Sequence, residues 1–288
     1  MKLALGTAQF GLPYGIANQS GQVSRPIAAS MLELARSKGV DTLDTAITYG
    51  ESEACLGELG VRQFKVITKL PAVPLSTEDI AGWLKNQITG SLGRLGVDAI
   101  YGLLLHRPDQ LLGVDGHLLF KALQEAKDAG LVEKIGISIY APSELDSLIP
   151  KYQIDLVQAP FNIVDRRLLS SGWLKRLKQE NIEIHTRSAF LQGLLLMPQD
   201  AIPQKFSAWS EVWGRWHTWL VQNQKSSLQA CIAYPLSFAE IDRVVVGVDS
   251  REQFSQIIDI ALEGNINGLP DLSCDDENLI NPSRWSQL

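Results

Sequence analysis

Cysteine is scarce in this chain, and what there is of it is poorly placed for chemistry. Cys55, Cys231 and Cys274 are odd in number and widely spaced, with no CxxC pair to hold zinc or to cycle as a dithiol. A reducing compartment is expected. No apolar run approaches the roughly 20 residues that a membrane helix needs. The opening MKLALGTAQFG also lacks the apolar core, roughly 7 to 15 residues long, of a secretory leader. The expectation is a cytoplasmic protein with no membrane partner. Basic residues are outnumbered, 26 Lys and Arg against 32 Asp and Glu, and they are scattered, so no nucleic-acid partner is expected either. The phosphate-binding signatures GxGxxG and GxxxxGK[ST] are both missing, which removes the simplest dinucleotide-fold and P-loop readings. HxH and HExxH are missing as well, and no metal is expected.

What the chain does have is a repeated unit. A short Leu- or β-branched-rich run is followed by a turn signal and then by a segment of helical periodicity. The runs are KLALGTA (2–8), TLDTA (42–46), FKVITKL (64–70), AIYGLLLH (99–106), KIGISI (134–139), LVQAPF (156–161), IEIHTRS (182–188) and RVVVGV (243–248). Helical segments are predicted over 25–39, 76–94, 117–129, 142–150, 166–180, 205–224, 227–238 and 250–263. Strands apolar on both faces, alternating with helices, predict a parallel (β/α)8 TIM barrel, a single α/β domain over residues 1–263. One extra Trp-rich helix precedes the last strand. Its Trp209, Trp213, Trp216 and Trp219 recur at three- to four-residue intervals and read as one apolar face packed in the core. Residues 264–288 turn polar, lose periodicity and read as a tail packing near the barrel mouth.

In such a barrel the chemistry sits at the C-terminal ends of the strands. Asp44, Lys69 and His106 fall at the ends of the second, third and fourth runs, and Tyr49 in the loop after the second. Each alone has an ordinary structural reading. Together they suit carbonyl reduction. When a hydride reaches a carbonyl carbon, the oxygen needs a proton, which a phenol can supply if its pKa of about 10 is lowered. The ammonium of Lys69 would lower it, Asp44 would keep Lys69 charged, and His106 would orient the carbonyl oxygen.

With LDTAITYGESEACLGE, VITKL and YGLLLHRPD on one rim, the chain resembles the aldo-keto reductases. LGTAQFG is similar to that family's opening strand, and GISIY to its Gly-x-Ser strand. The resemblance covers residues 2–263. It implies an NADPH-dependent oxidoreductase with the tetrad Asp44, Tyr49, Lys69 and His106 and with Tyr49 as proton donor. It also implies a small-molecule carbonyl substrate, with a polar, sugar-like carbonyl as one candidate.

By the same resemblance Gly6 and Thr7 touch the cofactor, Ser138 and Gln158 hold the nicotinamide carboxamide, and Ser188, Leu191 and Gly193 line the pyrophosphate path. Gly247, Ser250 and Arg251 would meet the adenosine 2'-phosphate of NADP(H). Asp249 opposes that phosphate, which keeps NAD(H) as the other cofactor. Two residues depart from the family pattern. Ile139 stands where Asn often contacts the carboxamide, a contact that Asn162 could supply instead. Arg187 stands where a tyrosine often stacks on the nicotinamide, and it is expected to stack there, or to bind a phosphate or a substrate oxygen. Phe10, Tyr14, Tyr140 and Trp285 are the expected substrate-pocket aromatics. Two other functions are compatible with parts of the pattern: a metal-dependent hydrolase using Asp44, His106 and His185, and a non-catalytic nicotinamide-binding sensor or accessory barrel.

Overall fold

A computed structural model describes residues 1–18, 20–264, 266 and 268–288. Eight parallel strands close into a barrel in sequence order. They are β1 (Leu3–Gly6), β2 (Thr42–Asp44), β3 (Lys65–Leu70), β4 (Ile100–Leu105), β5 (Val132–Ser138), β6 (Leu156–Pro160), β7 (Glu183–Arg187) and β8 (Arg243–Gly247). β1 closes the ring on β8 through Gly6 opposite Gly247. The outward side chains of the strands join the flanking helices in one apolar core that includes Leu5, Leu43, Leu103, Ile137, Val157 and Val246. Burial on both faces is what the runs of Leu, Ile and Val demand.

Alternation along the strands sends every second residue into the barrel. Register then stacks these inward residues in rows. The middle of the lumen is apolar, with Ile67, Leu104 and Leu156 packed as a cluster of their own. Its lower end is ionic: Glu183 accepts from His185 Nε2 (2.7 Å), Tyr101 Oη (2.9 Å) and Lys134 Nζ. The upper end, at the strand C-termini, carries Gly6, Asp44, Lys69, Ser138, Gln158, Arg187 and Gly247.

Several boundaries differ from the sequence reading. The segment 166–180 breaks into Arg167–Ser170 and Trp173–Gln179. The Trp-rich segment is a 3-10 turn, Gln204–Trp209, followed by the helix Ser210–Gln222. Only Trp213 and Trp216 are buried as expected of a core face. Trp209 and Trp219 turn instead to the C-terminal segment, their indole N–H groups donating to Asp276 Oδ2 (3.2 Å) and to the carbonyl of Gly268 (2.9 Å). That segment has structure of its own, a helical turn Glu277–Ile280 and a 3-10 turn Pro282–Gln287. It is tied to the loop after β6 by Cys274 N–H on the Val164 carbonyl (3.0 Å). No helix among the described residues is long and apolar enough to cross a membrane.

Candidate active site

A cavity of about 500 Å³ opens over the upper end of the barrel, within the usual range for small-molecule sites. Asp44 stands at its floor and organises the neighbouring strands. Its Oδ1 accepts from Lys69 Nζ at 2.7 Å and its Oδ2 from Gln158 Nε2 at 2.6 Å, so both oxygens are committed. Lys69, 1% exposed, gives a second bond to the Thr45 carbonyl (2.8 Å). Burial lowers its pKa, and the Asp44 carboxylate works against that shift. Among the described residues, Gln158 Oε1 is a buried acceptor without a partner. With Nε2 held by Asp44, the amide cannot turn that oxygen away.

Tyr49 and His106 line the cavity beside Asp44, their rings 6.0 Å apart and edge to face. Lys69 meets Tyr49 through the ring, its Nζ 5.1 Å from the ring centroid. The phenol is not lowered as the sequence reading expected. Burial drives its pKa up, the Asp44 carboxylate adds to the rise, and Arg187 opposes it. The Lys69 charge, spent on Asp44 and Thr45, does not offset the desolvation. Tyr49 is therefore held in the neutral, proton-bearing form. His106 is pushed down to about 4, by burial first and then by the cations Lys69 and Arg187, and so is a neutral imidazole near neutral pH.

The Tyr49 loop is fixed by a close backbone approach. A Cβ on Gly11 would fall 1.8 Å from the Tyr49 carbonyl oxygen, and one on Gly50, at φ +53°, would fall 2.5 Å from the Gly11 carbonyl oxygen. Only glycine fits at either position. Thr7 adds a polar tie: its hydroxyl donates to the Asp44 carbonyl (2.9 Å) and lies 2.9 Å from Ser52 Oγ.

The cavity wall continues through Gly6, Thr7, Ser138, Arg187, Ser188, Gly193 and Gly247. Tyr14 and Tyr140 also line it. Phe10 and Trp285 do not: both are buried in the core, Trp285 against Phe206 with ring centroids 4.8 Å apart. His185 bonds Glu183 below and is not gathered with Asp44 and His106. No three His, Cys, Asp or Glu among the described residues cluster as metal ligands. Several lining residues carried no sequence signal. Asn18 reaches across to Asp249 Oδ1 (3.2 Å), and Gln192 to Tyr14 Oη (3.3 Å), so the loop after β1 spans the outer wall between the loops after β7 and β8.

The family model for the aldo/keto reductase family matches residues 2–266. The chain belongs to the aldo/keto reductase family. It is 27% identical over 206 residues to an uncharacterized oxidoreductase, YqkF, of Bacillus subtilis (strain 168), across 67% of this chain and 66% of that one. It is 29% identical over 136 residues to a 6-dehydroglucose reductase of Novosphingobium aromaticivorans, across 42% and 44%. The chain thus spans just under two thirds of the first relative and less than half of the second. Its fold resembles that of aldo-keto reductase AKR11C1 from Bacillus halodurans in its holo form, with a TM-score of 0.74 at 19% identity over 94% of this chain and 89% of that one.

Against the aldo/keto reductase pattern, some expected contacts lie elsewhere. Ser250 caps the helix Arg251–Glu263, accepting from Gln253 N–H (3.2 Å), while Arg251 is exposed, and neither lines the cavity. Asp249, Gln253, Gln256 and Ile257 stand there instead. Leu191 is buried outside the cavity lining. Asn162 lies outside the cavity lining, its amide donating to the Ser188 carbonyl (3.0 Å) and its oxygen accepting from Val164 and Asp165 N–H (2.9 and 2.8 Å). Arg187 fills the region above Ile139, donating to that residue's carbonyl at 3.0 Å.

Proposed function

We propose that this aldo/keto reductase reduces a polar aldehyde or ketone with a nicotinamide dinucleotide, in the cytoplasm, through a single catalytic domain of residues 1–263. The observation that carries the reading is Asp44, which bonds Lys69 on one side and Gln158 on the other within a cavity shared with Tyr49 and His106. The orphaned Gln158 Oε1 fits the amide N–H of a nicotinamide carboxamide, with the Ser138 hydroxyl beside it as a second partner. Gly6, Thr7, Ser188, Gly193 and Gly247 would flank the rest of the dinucleotide. When bound in reduced form, that group supplies the hydride.

The protein's part is to orient the substrate and deliver a proton. Neutral His106 donates a hydrogen bond to the carbonyl oxygen and aims it at Tyr49. Tyr49, kept protonated by its burial, releases its Oη proton to that oxygen as negative charge builds on it. Lys69 stands beneath the ring to stabilise the phenolate left behind. Burial of Tyr49 and His106 in the cavity wall strengthens each of these interactions.

The resemblance puts NADP(H) first, but Asp249 favours NAD(H). A carboxylate on the wall where the resemblance sets the 2'-phosphate repels it, while Ser250 and Arg251 lie outside the cavity. The relatives named 6-dehydroglucose reductase support a sugar-like carbonyl. The test is oxidation of NADH and NADPH, followed by absorbance, with a panel of aldehydes including hydroxyaldehydes. Wild type turns over, and Tyr49→Phe loses about a hundredfold or more in kcat while still binding dinucleotide. Equal rates for the two proteins would refute the role of Tyr49.

A further inference from the structure

The upper chamber holds a cation that makes no ion pair with any described residue. Arg187 ends β7, in the inward row above His185, and its planar group lies 5.0 Å from the Tyr140 ring centroid. Its two protein hydrogen bonds go to neutral acceptors, the Ile139 carbonyl (3.0 Å) and Ser188 Oγ (3.3 Å). Among the described residues no carboxylate lies within ion-pair distance of it. The nearby anion is unavailable: both oxygens of Asp44 are taken, by Lys69 and by Gln158.

The rest of the chamber is also rich in donors. Tyr14, Tyr49 and Tyr140 present three phenols there, and His106 is a neutral imidazole. The Asp249 carboxylate lines the same cavity but accepts from Asn18 Nδ2 (3.2 Å) and makes no ion pair with Arg187. A half-buried guanidinium with unspent donors, set among phenols, is matched by a ligand with several oxygen acceptors and a negative charge.

We propose that the carbonyl substrate is an anion, its carboxylate or phosphate group held by Arg187 while its carbonyl meets Tyr49 and His106. The proposal rests on the carbonyl-reductase reading of the site and narrows its substrate class. Arg187 is then a specificity-determining residue rather than a stacking partner of the nicotinamide. Because Arg187 lines the same cavity as Tyr49 and His106, the acid group and the reacting carbon belong to one small molecule.

Matched pairs test this: succinic semialdehyde against butanal for the carboxylate, and glyceraldehyde phosphate against glyceraldehyde for the phosphate. In the wild type the anionic member of at least one pair has a kcat/KM higher by about tenfold or more, and which pair shows it identifies the acid group. Added salt erodes the preference, and succinate, which has no carbonyl, competes with the substrate. Arg187→Gln brings the ratio towards one, and Arg187→Lys restores part of it. Equal kcat/KM within both pairs, with no inhibition by succinate, overturns the proposal and leaves the carbonyl-reductase reading intact. A variant ratio that stays at the wild-type value while dinucleotide affinity falls also overturns it, since Arg187 would then serve the cofactor. No turnover of any carbonyl by wild type would refute the carbonyl-reductase reading, and the proposal with it.

Discussion

Lys69 is the residue on which the site's electrostatics turn, and its cost is visible in its surroundings. An ammonium at 1% exposure survives only because Asp44 faces it at 2.7 Å. Lys69→Met keeps the volume but leaves Asp44 buried without its cation. The expected loss is about 3–5 kcal/mol of unfolding free energy, read from a denaturant midpoint, together with loss of turnover. A midpoint unchanged from wild type would mean that the pair is not desolvated in solution. The far end of the cavity offers a gentler test. Asp249→Ser should raise the ratio of NADPH to NADH affinity by about tenfold, measured by titration, because it removes a like charge from the phosphate's position. That Asp44, Tyr49, Lys69 and His106 meet on one rim was legible in the sequence because each ends, or closely follows, a recognisable strand. The direction of the Tyr49 shift was not, since it depends on how much water the closed loops exclude from the phenol.

At the scale of elements, parallel register does what sequence motifs only hint at. Gly6, Asp44, Lys69, Ser138, Gln158, Arg187 and Gly247 share the upper rim because each strand contributes its last inward position or one close to it. Loops behave differently, since their contacts are set by other loops. The glycine contact between the loops after β1 and β2 is an example. Gly11→Ala would push a methyl into the Tyr49 carbonyl, 1.8 Å away, and must move that loop. The expected effect is on the order of a hundredfold in kcat from displacement of the phenol, at a stability cost of about 1–3 kcal/mol. Normal kcat would show that the two loops separate freely. The same dependence on partners explains the misread aromatics. Nothing in the tail's composition says that Trp285 packs on Phe206, or that Trp209 and Trp219 hold the tail by their indole N–H groups.

Taken whole, the barrel is a stack of unlike layers: an ionic lower plug, an apolar waist and a polar upper chamber. Strand alternation predicted two apolar faces but not this layering, because the sequence shows Glu183, Lys134 and Tyr101 on separate strands with no sign that they meet. The layers give the molecule a two-stage response to acid. His106 is lowered from 6.5 to about 4, so between those values the unfolded chain takes up a proton that the folded chain refuses, and stability falls as pH drops through that window. Burial alone would raise the Glu183 carboxyl, but hydrogen bonds from His185, Lys134 and Tyr101 outweigh it and hold the group below its ordinary 4.5. Its contribution is present above 4.5 and is lost as pH falls below that value. Urea midpoints measured at successive pH values should therefore decline first between about 6.5 and 4 and again at lower pH. Glu183→Gln should remove only the second stage, and a midpoint flat down to pH about 4 would contradict the first.

Asp44 has one more consequence, which concerns polarity rather than charge. A carboxylate is symmetric, and it receives a donor at each oxygen, from Lys69 and from Gln158. Asparagine has the same outline but opposite ends, so it can accept from Lys69 only by presenting an N–H to the Gln158 amide. That amide would then have to rotate, turning its oxygen towards residue 44 and its N–H₂ towards the cavity. A one-atom change on β2 would thereby turn an acceptor on β6 into a donor and reverse the hydrogen-bonding face the protein offers to whatever occupies the chamber.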